Sequence, residues 1–76
     1  MTIEQIKDRI IKSLPDAMVD VSDLTGTQDH IQVHVETSQF KGMALLERHR
    51  LIMDLFDTEL KSGELHALTI KAKVKE

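Results

Sequence analysis

A chain of 76 residues, 41% apolar and 30% charged, has the size and balance of one small globular domain spanning 1–76. Lacking cysteine, it can form no disulfide and no all-thiolate metal site, and a net charge of −3 denies it the basic excess from which nucleic-acid binders draw affinity. No apolar run approaches the roughly 20 residues that span a bilayer, and the acidic start Met1-Thr2-Ile3-Glu4 is unlike a signal or transit peptide, so the expected compartment is the cytoplasm.

Thr2 is placed to cap a helix, with Gln5 completing a reciprocal capping box. Ile3, Ile6, Ile10, Ile11 and Leu14 then recur at helical spacing. Pro15 ends the run, because the residue before a proline avoids the helical region, so the first helix covers about 2–13. Ala17, Val19 and Val21 alternate with Met18, Asp20 and Ser22, the period-two pattern of a half-buried strand. Gly26 sits in a polar turn with Thr25, Thr27, Gln28 and Asp29. Ile31, Val33 and Val35 alternate with His30, Gln32, His34 and Glu36, and two such runs across a short loop predict an antiparallel hairpin.

Residues 38–42 read as a turn in which Phe40 anchors the core and Gly42 gives backbone freedom at a helix entry. A second helix is expected over 43–60, with Leu45, Leu46, Ile52, Leu55, Phe56 and Leu60 as its apolar stripe. Arg48, Arg50, Asp54, Asp57 and Glu59 are its expected wet positions, and Gly63 is suited to a left-handed cap after Ser62. A last strand over 65–74 sets Leu68, Ile70, Ala72 and Val74 on one face and Ala67, Thr69, Lys71 and Lys73 on the other. The order α-β-β-α-β predicts an α/β (α+β) domain, with a three-stranded mixed sheet and both helices on one face. The long, mostly helical connection from the second strand to the third allows those strands to be parallel neighbours.

Parallel pairing would bring His30, opening the second strand, and His66, near the start of the third, to one end of the sheet. Their parities differ, since His66 is in phase with Leu68 and Ile70 while His30 is in phase with Gln32 and His34. His34 reads as a solvated mid-strand residue and His49 as a core-edge residue on the helix stripe. The acids Asp54, Asp57 and Glu59 read as a solvated helix face. No nucleophile–base spacing, paired carboxylates, His-Glu-x-x-His or phosphate-cradling glycine loop occurs, so the chain does not read as an enzyme.

Four stretches together resemble the BolA family over nearly the whole chain. They are Asp29-His30-Ile31-Gln32-Val33-His34-Val35, Phe40-Lys41-Gly42 with Arg48-His49-Arg50-Leu51-Ile52, Glu59-Leu60, and His66-Ala67-Leu68-Thr69-Ile70. The resemblance implies a type II KH-like sandwich. It also implies pairing with a monothiol glutaredoxin around a bridging [2Fe–2S] cluster, for which the glutaredoxin gives a cysteine and glutathione a second thiolate. On the BolA side the implied ligands are the histidine that starts the last strand, matching His66, and a histidine or cysteine in or near the first inter-strand loop. Here that loop is short, and His30 is the residue in reach. Histidine ligation raises a cluster's potential and makes the bond sensitive to protons. With no cysteine the isolated chain is expected to hold no cluster. A weak homodimer is a further expectation. Family members commonly continue beyond the last strand into a Thr-Pro-rich tail with a tryptophan. This sequence stops at Lys73-Val74-Lys75-Glu76, so that tail's contacts are expected to be missing. The alternative reading is a KH-like nucleic-acid regulator using Lys41, Gly42, Arg48 and Arg50, although KH domains bind through a Gly-x-x-Gly loop that is absent here.

Overall fold

The computed structural model describes residues 1–26 and 30–75. Thr27, Gln28 and Asp29 of the expected inter-strand turn, and Glu76, lie outside the described residues. The elements are α1 (Ile3–Ser13), β1 (Met18–Asp23), β2 (His30–Thr37), a 3₁₀ turn (Ser38–Phe40), α2 (Leu45–Leu55), α3 (Asp57–Ser62) and β3 (Ala67–Val74). The sheet has the order β1-β2-β3, with β1 antiparallel and β3 parallel to the central strand. This is the small α+β domain with a mixed sheet that the sequence predicts. No helix among the described residues is long and apolar enough to cross a membrane.

The core collects one face of each element. Ile6, Ile10 and Leu14 come from α1 and its end, Val19 from β1, and Ile31, Val33 and Val35 from β2. Phe40, Ile52, Phe56, Leu65 and Ile70 complete it. The Thr2–Gln5 capping box forms in both directions, satisfying amide donors that a helix start leaves open. Gly42 and Gly63 take φ of 82° and 85°, the left-handed conformation that glycine adopts without a Cβ clash.

The expected helix over 43–60 is two helices. Phe56 leaves helical geometry at φ −118° and ψ 20°, and its amide donates to the Met53 carbonyl at 3.0 Å. The break is pinned from α1. Arg9 Nη1 donates to the Leu55 carbonyl at 3.0 Å and to Glu59 Oε1 at 2.6 Å, and the guanidinium lies 5.1 Å from the centre of the Phe56 ring. A side chain that takes a helix carbonyl is a recognised cause of a break. Glu59, expected to be wet, is therefore ion-paired and only 15% exposed at its side chain. The Arg9 hydrogen bonds hold its carboxyl below the usual value. The helix also begins later than expected. The Met43 amide closes a turn on the Phe40 carbonyl, and Ala44 is extended at the cap. Leu45 and Leu46 then occupy the exposed first turn, at 59% and 62% exposure, and do not reach the core.

At the far end of the sheet Asp16 brackets three segments. It accepts hydrogen bonds from the hydroxyl of fully buried Thr37, from the Ser38 hydroxyl, and from the Ser38 amide at 3.0 Å. Lys75 closes the bracket by donating its Nζ to the Asp16 carbonyl and its amide to the Thr37 carbonyl, both at 3.1 Å. The hydroxyl bonds of Ser38 and Thr37, then the Ser38 amide, lower the Asp16 carboxyl from 3.8 to about 2. Because the folded value lies below the unfolded one, the stabilisation is complete above the unfolded value and is withdrawn as pH falls through about 2. Urea midpoints followed downward from about pH 5 should therefore fall, and Asp16→Asn should remove part of that acid dependence while lowering the midpoint at neutral pH. An unchanged acid slope in Asp16→Asn would show that this bracket contributes nothing.

Candidate metal centre

The parallel register of β2 and β3 sets His30 directly opposite Ala67, so His66 is one residue outside the ladder. The backbone around both histidines is anchored. The His30 carbonyl accepts from the Leu24 amide at 2.9 Å. Ahead of His66, Gly63 turns the chain in the left-handed region, the Glu64 amide donates to Ser62 Oγ, and the Leu65 amide donates to the Glu59 carbonyl at 3.1 Å. Leu65 is fully buried, so its side chain nails the segment to the core while His66 stands exposed on the rim.

The two imidazole rings meet there. Their centroids are 5.9 Å apart and their planes are at 88°, an edge-to-face arrangement. The parity conflict dissolves because β3 begins at Ala67. A residue outside the ladder is not bound by the pleat, and the His66 ring reaches the half-buried His30. Two imidazoles on one tetrahedral metal at about 2.0–2.1 Å have centroids roughly 5 Å apart, so modest rotation would let this pair share an ion. The donors are of a fitting kind, since imidazole suits iron as well as zinc and copper. Among the described residues, no group of three or more His, Cys, Asp or Glu side chains is placed to hold a metal ion. The pair alone could fill at most two positions around a metal ion.

The other histidines are elsewhere. His34 lies four residues along β2, about 13 Å away at 3.2–3.4 Å per residue, too far to join His30 on one ion. It is exposed, with its Nε2 2.9 Å from Gln32 Nε2. His49 is half-buried in the first half of α2. Of the alternative set, Lys41 and Arg50 are exposed, Gly42 forms the turn between them, and Arg48 Nε donates to the Met43 carbonyl at 3.1 Å. Leu24, which no sequence motif marks, is 56% exposed and donates its amide to the strand end that carries His30. Its only sequence signal was an apolar residue set in a polar turn.

The BolA-like protein family matches residues 10–76. The chain belongs to that family. An uncharacterized protein of Rickettsia prowazekii is 30% identical over 71 residues, covering 93% of this chain and 91% of that protein. Mouse BolA-like protein 1 is 46% identical over 48 residues, covering 63% of this BolA-like chain but 34% of the mouse protein. The solved structure of BolA1 from Arabidopsis thaliana superposes with a TM-score of 0.83 at 31% identity, covering 93% of this chain and 88% of that one. Both histidines fall inside the stretch matched by the BolA-like family.

Proposed function

We propose that this BolA-like chain, acting as a single unit over 1–76, binds a monothiol glutaredoxin and supplies His30 and His66 to a bridging [2Fe–2S] cluster, in iron–sulfur trafficking or iron homeostasis. The observation that carries the reading is the paired imidazoles at 5.9 Å on an accessible rim, with no third ligand beside them among the described residues. Such a pair needs its remaining ligands from outside, and a glutaredoxin cysteine and glutathione provide thiolates that this chain lacks. When bound, the cluster supplies one-electron chemistry, at a potential that histidine ligation raises. The chain's own part is positional. Leu65 and the β2–β3 ladder hold the two rings at one edge, and exposed Leu24 offers apolar contact to a docking partner. The work is binding and presentation, with no catalytic step.

Mixing the protein with a cluster-loaded glutaredoxin homodimer should yield a 1:1 heterodimer with changed visible absorption and circular dichroism. If the homodimer and its spectrum persist at excess protein, the reading fails. The nucleic-acid alternative draws on Lys41, Gly42, Arg48 and Arg50. It has weaker support, because Arg48 already spends a donor on Met43 and the net charge is −3.

A further inference from the structure

We propose that the solvent face of the sheet is a self-association surface, on which a second copy of this chain docks face to face about a two-fold axis parallel to the strands.

The face is organised in rows. The two registers align Asp20 of β1, His34 of β2 and Lys71 of β3 in one row, and Met18, Glu36 and Lys73 in the next. These six residues line a shallow groove of about 330 Å³. All are exposed except half-buried Glu36, and Met18 is 62% exposed although large and apolar. The charge is divided across the sheet, with the carboxylate of Asp20 on one edge strand and the ammonium groups of Lys71 and Lys73 on the other. Neighbouring strands are about 4.7–4.9 Å apart, so Asp20 and Lys71 start roughly 10 Å from each other across β2. Among the described residues no ion pair joins any of these groups.

A face whose opposite edges carry opposite charge is complementary to itself under one symmetry. A two-fold axis along the strands exchanges left and right and preserves height. It therefore sets Asp20 of each copy over Lys71 of the other, twice per dimer. A two-fold axis across the strands would stack like edges on like and is disfavoured. Packed sheets sit about 10 Å apart, a gap that an aspartate and a lysine reaching from opposite faces can close. Met18 is covered in the same movement. Glu36 lies near the axis, faces its own copy and opposes association. Three strands of this length offer roughly 300–400 Å² per copy, below the ~800 Å² per partner of a stable complex. The dimer is accordingly weak, dissociating in the high micromolar range in low salt, and sensitive to salt.

Sedimentation velocity from about 20 µM to about 1 mM at neutral pH tests this without glutaredoxin or cluster, so it can fail while the cluster reading stands. Wild type should self-associate in low salt and dissociate as ionic strength rises. Asp20→Lys and Lys71→Glu should each weaken self-association by about tenfold or more, with unchanged far-ultraviolet circular dichroism. Mixing those two single variants should restore association, because one then presents only cations on this row and the other only carboxylates. The double exchange of Asp20→Lys with Lys71→Asp should self-associate again. A wild type that stays monomeric at about 1 mM in low salt overturns the proposal. So does a Lys71→Glu variant that associates like wild type, or a mixture of the two variants that stays monomeric.

Discussion

A chain carrying His66→Ala should fold like wild type yet leave a cluster-loaded glutaredoxin homodimer unconverted. The ring stands on the exposed rim, outside the β3 ladder, so its loss removes an edge-to-face contact of about 0.5–1.5 kcal/mol and leaves the core intact. The effect on the heterodimer should be far larger, because the proposed assignment makes this residue a cluster ligand and no other histidine is near enough to replace it. His34 begins about 13 Å from His30 along the strand, so it cannot substitute. His66→Cys separates chemistry from shape, since a thiolate at the same place can ligate iron and should rescue cluster binding with a shifted visible spectrum. Full conversion by His66→Ala, read by circular dichroism at matched concentrations, would remove this residue from the site.

Phe56→Ala should have the largest effect on folding. The ring is fully buried at the point where the second half of the chain breaks from α2 into α3, and the Arg9 guanidinium lies over it. Truncating a buried phenylalanine costs about 3–5 kcal/mol. A domain of this size has roughly 4–11 kcal/mol in all. The variant should therefore lose most of its stability margin and unfold at much lower urea, with Phe56→Leu falling between. A Phe56→Ala midpoint close to wild type would mean that the break is held by the Arg9 contacts to Leu55 and Glu59 alone.

Much of this architecture was legible because its signals are local. The Thr2–Gln5 capping box, the alternation of Val19, Val21, Ile31, Val33 and Val35, the freedom of Gly42 at a helix entry and the left-handed cap at Gly63 each depend on neighbours within a few residues. The parallel pairing of β2 with β3 followed from the length and character of the connection between them. What escaped depends on contacts distant in sequence. The break at Phe56 fits a continuous helical stripe on paper, and only Arg9, 46 residues from Leu55, marks it. Glu59 looked like surface for the same reason. Leu45 and Leu46 fit the apolar period but sit in a first turn that does not reach the core. At the candidate site, the sequence brought His30 and His66 to one end of the sheet and left their facing in conflict. The conflict came from starting the strand at Leu65. Leu65 instead serves as a buried anchor, and His66 is thereby released from the strand's alternation.

Whether these two rings bind one iron can be read directly. In the heterodimer with a monothiol glutaredoxin, nitrogen-15 histidine would be placed in this chain alone and the cluster reduced for pulsed electron paramagnetic resonance. Two strongly coupled histidine nitrogens are expected, with one lost in His30→Ala and none surviving when both histidines are replaced. A reduced cluster in that heterodimer with no strongly coupled nitrogen from this chain would contradict the assignment.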